Sequence, residues 1–402
     1  MEKKVIEKKD WVSSLTLIGK PKISEEYTFK IDQRSEKSKW VYNSMNLGVD
    51  CGEKYGVVYA EMMGGYSEEN KNVIYGFEKK GDGTTDYKSQ VAVDWEDRFN
   101  DKVLEKVGDS SFITVGLLKT DKGKTHYEKF LSAYDAIAYV KEYLKEDMVV
   151  NVRGTLKYSV YNDVVQVRKN ITSIVLSNVD DSSKYRATFA QSILIDKDSA
   201  SLKNIDKDKG VMYVDAKVLD FLKEYNGIKL VNAKGEDKGS QFPYNKQFEF
   251  EFPDLHDEKL CKTIYEKLFK VKKGVTQVNF EGEFIESGAA VTATWEDVPS
   301  EIKELVALKI YTEEQALAKC TANGNRERRM VLKNPVIKMI GEDKDNKTPV
   351  LQVFTEQYEE DDLVLDYLFD NDKSNNDDGE LHFDVDDIGS SDNDSMAWLK
   401  QL

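Results

Sequence analysis

The sequence predicts a mainly β protein with a few helices: a small closed five-stranded barrel built twice in tandem, followed by a disordered acidic C-terminal tail. Three observations predict it. The order strand, strand, strand, helix, strand, strand recurs along the chain. A Val-Asn-x-x-Gly signature follows an amphipathic helix in each copy, as VNVRGTL and VNFEGEF. The negative charge is concentrated at one end.

In the first copy LTLIGKPKI and YTFKI precede KWVYNSMNLGV and YGVVYAEMM, runs rich in β-branched and aromatic residues. FLSAYDAIAYVKEYLK then places Ala133, Ile137, Val140 and Leu144 on one helical stripe. After it Val150, Val152, Gly154 and Leu156 alternate inward, and VVQVRKNITSIVL closes the set. In the second copy ATFAQSILID and GVMYVDAKVLDF lead to DEKLCKTIYEKLF, with Leu260, Ile264 and Leu268 on its stripe, and strands follow at Val275 and Met330. A helix between the third and fourth strands of a five-stranded meander is the layout of an OB barrel, where it plugs one end. The shared glycines let the fourth strand bend where a small barrel closes.

Three anchors suggest duplication. Gly56-Val57-Val58-Tyr59 answers Gly210-Val211-Met212-Tyr213, Gly154 answers Gly282, and Lys169-Asn170 answers Lys333-Asn334. The first pair of anchors is 98 residues apart in copy one and 72 in copy two, which places 26 extra residues in copy one, around 79–111. The second pair is 15 and 51 apart, which places 36 extra residues in copy two. That insert reads as helical from SEIKELVALKI and TEEQALAKC, with Thr312, Glu314 and Gln315 as a helix start. The expected organisation is an arm at 1–12, barrels at 13–178 and 185–355, a helical insert at 299–320, and a tail at 356–402.

The net charge of −16 is unevenly spread: from Glu356 to Leu402 sixteen acidic residues face only Lys373 and Lys400, which leaves −2 for the other 355 residues. A nearly balanced body therefore carries a polyanionic tail. No window approaches the roughly 18 apolar residues of a membrane span, and MEKKVIEKKD lacks the apolar core of a signal peptide, so the expected location is cytoplasmic. Cys51, Cys261 and Cys320 form no CxxC pair and read as reduced core thiols.

LTLIGKPKI, KWVYNSMNLGV and the run YLKEDMVVNVRGTLKYSVYNDVVQVRKNITSIVL resemble the barrel of bacterial and phage single-stranded DNA-binding proteins. The resemblance covers about residues 13–177 and copy two in outline. It implies single-stranded DNA as ligand, work in DNA replication, recombination and repair, and a tail that recruits replication and recombination proteins; the scattered cysteines and histidines lead us to expect no cofactor or metal. The tip departs from the family's Asp-rich Pro-Phe ending, since DSMAWLKQL stands there.

Single-strand binding needs flat rings for bases and cations for phosphates. Trp40 and Tyr42 fall opposite the inward phase of their strand with Lys39 beside them, and Tyr59 lies on the next strand. Arg153, Lys157, Tyr158, Tyr161, Arg168 and Lys169 surround the last turn of copy one, a binding-loop position. Copy two offers Arg186 on its first strand and Arg326, Arg328 and Arg329 after the helical insert. In the tail, Tyr367, Phe369, Met396, Trp398, Leu399 and Leu402 are candidate partner contacts. Ordinary solvated sheet faces and a plain solubility tail are the alternatives.

No GxxxxGK[ST] loop or GxGxxG is present, GDG at 81–83 reads as a turn, and His126, His256 and His382 stand apart, so catalytic constellations lack parts. Two rival readings remain open: a DNA-mimicking factor that binds proteins, and a virion structural component.

Overall fold

The computed structural model describes residues 5–36, 38–161, 164–286, 295, 298–320, 328–341 and 347–365. The first barrel is built from β1 (Ser13–Lys22), β3 (Trp40–Asp50), β4 (Val57–Ser67), β9 (Val150–Tyr161) and β10 (Val164–Leu176), with β2 (Phe29–Arg34) paired to the start of β3. β1 pairs β3, β3 pairs β4, β4 meets β10 in parallel at Glu61 and Asn170, β10 pairs β9, and β9 returns to β1. Five strands therefore close on themselves. Leu15, Leu17, Met45, Leu47, Val58, Ala60, Val150 and Val152 fill the interior, one residue in two along each strand. Helix α2 (Ala133–Tyr143) starts where Ser132 Oγ accepts the Tyr134 N–H, and it buries Ala136, Ile137 and Val140 against the barrel.

The second barrel repeats the circuit with β11 (Arg186–Ile195), β13 (Val211–Leu222), β16 (Ser240–Glu251), β17 (Val275–Ile285) and β18 (Arg329–Pro335). The pairings run β11–β13–β16–β18–β17–β11, with β16 and β18 parallel. Helix α3 (Glu258–Leu268) follows the third strand, capped by Asp257. Helices α4 (Ser300–Ala307) and α5 (Glu313–Cys320) form the insert before β18, and Thr312 and Gln315 exchange the reciprocal bonds of a capping box.

Two of the three repeat anchors join non-equivalent positions. GVVYAE opens β4, a third barrel strand, whereas GVMYVD opens β13, a second one. The third strand of copy two is β16, FPYNKQFEFE, which the anchor displaced from the reading. Gly154 lies opposite Ile171 and Gly282 opposite Leu332, so Lys333 corresponds to Thr172 and not to Lys169. Only the glycine anchor is equivalent. Both glycines sit beside a register shift, at Ile171/Ser173 and at Glu281/Gly282, where the strand pair bends.

The extra residues of copy one are two hairpins. One is β5 (Val73–Lys79) with β6 (Thr85–Asp94), and the other is β7 (Ile113–Lys119) with β8 (Thr125–Phe130); the short α1 (Asp101–Leu104) lies between them. Copy two adds β12 (Ala200–Asp206), the small ladder β14 (Glu224–Tyr225) and β15 (Ile228–Lys229), and the hairpin β19 (Ile337–Ile340) with β20 (Thr348–Leu351).

The barrels join edge to edge. β1 and β11 pair antiparallel with Leu15 opposite Phe189, and each of these faces the closing glycine of its own barrel. Equivalent residues thus face one another across a pseudo-twofold axis, and one hydrophobic core runs through both barrels.

The arm before barrel one belongs to barrel two. Ile6 packs with Leu194, Leu219, Val275, Tyr358, Leu363 and Leu365. Gln277 Nε2 donates to the Lys9 carbonyl at 3.1 Å, Asn279 Nδ2 to that of Asp10 at 3.1 Å, and the Val12 N–H to Ser192 Oγ at 2.7 Å. Ile6→Ala is expected to cost about 2 kcal/mol in urea unfolding, because it empties a closed apolar site. The tail also begins later than residue 356: β21 (Val353–Tyr358) pairs β17, and Leu363 and Leu365 are buried. Tyr367, Phe369, Met396, Trp398, Leu399 and Leu402 lie outside the described residues.

Candidate nucleic-acid interface

The outer face of β3 and β4 carries alternate residues that point away from the core. Trp40 and Tyr42 stack with ring centroids 5.1 Å apart and planes 17° from parallel. Tyr42 is 7% exposed and backs the Trp40 ring, so it is not itself a face for a base as the sequence led us to expect, and Trp40 is half-buried. Lys39, exposed, enters the strand in the left-handed region at φ 49°. At the other end of the face Tyr59 lies across Gly48, where an added Cβ would stand 3.1 Å from its ring. The arrangement offers flat rings at both ends of one sheet face.

A second aromatic group braces this end of the barrel. Tyr66, Trp95 and Tyr134 pack mutually with centroids 5.2 to 6.0 Å apart, and Arg98 lies over Trp95 while it pairs with Asp135 at 2.8 Å. The Tyr134 hydroxyl donates to Asp32, and burial together with that carboxylate raises its pKa.

The expected cations divide into two groups. Arg168 pairs with Glu61, and Arg329 pairs with Glu249 at 2.6 Å. Glu61 faces Asn170 and Glu249 faces Val331, so these ion pairs occupy equivalent places in the two barrels. Lys169 reaches Glu286 at 2.7 Å and lies over Phe284, and Lys157 reaches the buried Asp220 at 3.4 Å. These four cations tie strands and barrels together, which neutralises much of the charge they would offer to phosphate. Arg153, Arg186 and Arg328 are exposed, and Arg326 lies outside the described residues.

Tyr158 is corrected outright as a stacking surface. It is 4% exposed, donates its hydroxyl to Gln191 Oε1 at 3.1 Å, and its backbone N–H donates to Asp220 at 2.8 Å. Its parity on β9 is that of Val152 and Leu156, so it points inward. Tyr161, at the strand tip, is 44% exposed. Tyr158→Phe is expected to cost about 1 kcal/mol of stability, measured by urea unfolding. Sequence reasoning missed the exposed rings of Tyr75, Tyr87 and Tyr127, which stand on the inserted hairpins. Alternation in THYEKF and the turn residues of KTDKGKT were the available signals. Among the described residues no group of three His, Cys, Asp or Glu side chains is placed to hold a metal ion.

No family model matches the sequence, and no curated protein matches it. Among solved structures the chain is similar to a deletion mutant of the single-stranded DNA binding protein from Thermus aquaticus, at 9% identity over 69% of this chain and 88% of that one, with a TM-score of 0.29. What the chain shows on its own is two closed five-stranded barrels of OB topology, joined through their first strands.

Proposed function

We propose that the protein binds single-stranded DNA on the outer face of its first barrel, and that it serves DNA replication, recombination and repair. The observation that carries this reading is the Trp40–Tyr42 stack on the second strand of a closed barrel, beside exposed Lys39. A ring half-open to solvent accepts a base by stacking, whatever its identity, so the preference is for unpaired bases and not for a sequence. In this reading the acidic segment after Leu365 recruits partner proteins and competes with DNA for the cationic residues.

The test is titration with oligo-dT at several salt concentrations, followed by tryptophan fluorescence. Quenching that saturates, and affinity that falls steeply with salt, are expected. A chain ending at Leu365 is expected to bind about threefold tighter at low salt and equally well at high salt, because a screened polyanion no longer competes. No quenching by either chain at low salt would end the proposal.

A further inference from the structure

Hairpin β7–β8 is part of neither barrel. β7 runs parallel to β10 through Ser173–Thr114, Ile174–Val115 and Val175–Gly116, and β8 is the last strand of the sheet. One face is anchored, since Val115 and Leu117 are fully buried in the common core. On the other face a Cβ at position 116 would stand 3.0 Å from Cδ1 and 3.1 Å from Cε1 of Tyr127. Glycine therefore lets the Tyr127 ring lie down on the strand, and the residue is still 57% exposed.

The tip is a tight turn. The Gly123 N–H donates to the Thr120 carbonyl at 2.8 Å, and the Thr120 N–H donates to that of Lys124 at 2.8 Å. This turn holds Lys119, Lys122 and Lys124, all exposed. Residues 113–130 carry four lysines against Asp121 and Glu128, a local net of +2 on a body whose net is −2. Glu128 contacts His126 at 2.7 Å. Arg153 shares a cross-strand row with this face, through Ser173 and Thr114 to Lys129. Cross-strand partners project to the same side of a sheet.

A flat, exposed ring seated on a strand, on a hairpin whose turn carries three exposed lysines, suits a single-stranded polyanion, which needs a stacking face and cations along one path. We infer that this hairpin is a second contact for single-stranded nucleic acid, with a base on Tyr127 and its flanking phosphates on Lys119, Lys122 and Lys124. The inference rests on the reading above and extends the bound strand beyond the Trp40 ledge. Long strands engage both sites, and short ones engage the ledge alone.

The full chain is tested by anisotropy of labelled oligo-dT of about 8 and about 30 nucleotides, lengths that straddle the site size of one barrel. Tyr127→Ala should leave the short oligonucleotide unaffected and weaken the long one about tenfold, and Tyr127→Trp should restore it. Replacing Lys119, Lys122 and Lys124 together with glutamine should weaken the long one and lower its salt slope by about 2. The three lysines are exposed, so their replacement should not move the melting temperature, and Tyr127→Trp, which keeps a ring over Gly116, separates lost stacking from lost packing in Tyr127→Ala. Wild-type binding with both variants unchanged on the long strand, or an equal loss on both lengths, overturns this inference alone. A wild-type chain that binds neither oligonucleotide overturns the proposed function and this inference with it.

Discussion

Gly154→Ala is expected to destabilise the chain by about 3 kcal/mol, the upper range for forcing an atom into a closed core. An added Cβ would stand 1.9 Å from the Asn170 carbonyl oxygen and 2.8 Å from its carbon, and both atoms are backbone held by the β9–β10 ladder. No rotamer change relieves that contact; two strands must separate. At Gly282 the Cβ meets the Phe189 ring at 2.3 Å and the Val331 carbonyl at 2.6 Å. Phe189 is 3% exposed, so its ring has no space to swing into, and a similar loss is expected. Gly81→Ala, where nothing lies within 4 Å, serves as the control and should change stability by less than about 0.5 kcal/mol. Urea unfolding of the three variants checks this, and a loss below about 1 kcal/mol at Gly154 would contradict the closure described.

The glycines were legible because they answer a backbone requirement, and such requirements admit one residue. The helices were legible for a related reason: Ile137 and Val140 repeat at helical spacing beside a serine cap, and both are fully buried. Strand identity was harder to read. GVVYAE and GVMYVD match because strands buried on one face draw on few residue types, not because they hold the same place in the barrel. That match hid β16, although Phe242, Tyr244, Phe248 and Phe250 alternate clearly.

Cations were the least legible part. Arg168 and Lys169 are consecutive residues on one strand, yet one binds Glu61 within barrel one and the other binds Glu286 from barrel two. Their partners are 107 and 117 residues away, so no local pattern reveals them. The same holds for Tyr158, whose inward parity is readable but whose polar partners, Gln191 and Asp220, come from the second copy. The barrels share an interface held by ion pairs, and basic residues of β9 and β10, Lys157 and Lys169, build it.

Trp40→Ala is expected to weaken oligo-dT binding by about 2 kcal/mol, close to thirtyfold. The reason lies in how the ring is held. Tyr42 backs it at 5.1 Å in near-parallel alignment, so the indole is fixed before a base arrives and little side-chain entropy is lost on stacking. Tyr161 and Tyr75, more exposed, have no such backing ring among the described residues and would have to be ordered by the ligand. Trp40→Phe should therefore recover most of the affinity, since the stack is kept. The salt slope should be the same for wild type and both variants, because an aromatic ring displaces no counterions. That separates the ledge from the lysine cluster at the β7–β8 turn, whose removal changes the slope. If Trp40→Ala alters affinity by less than twofold while the slope holds, bases are not carried on this ledge.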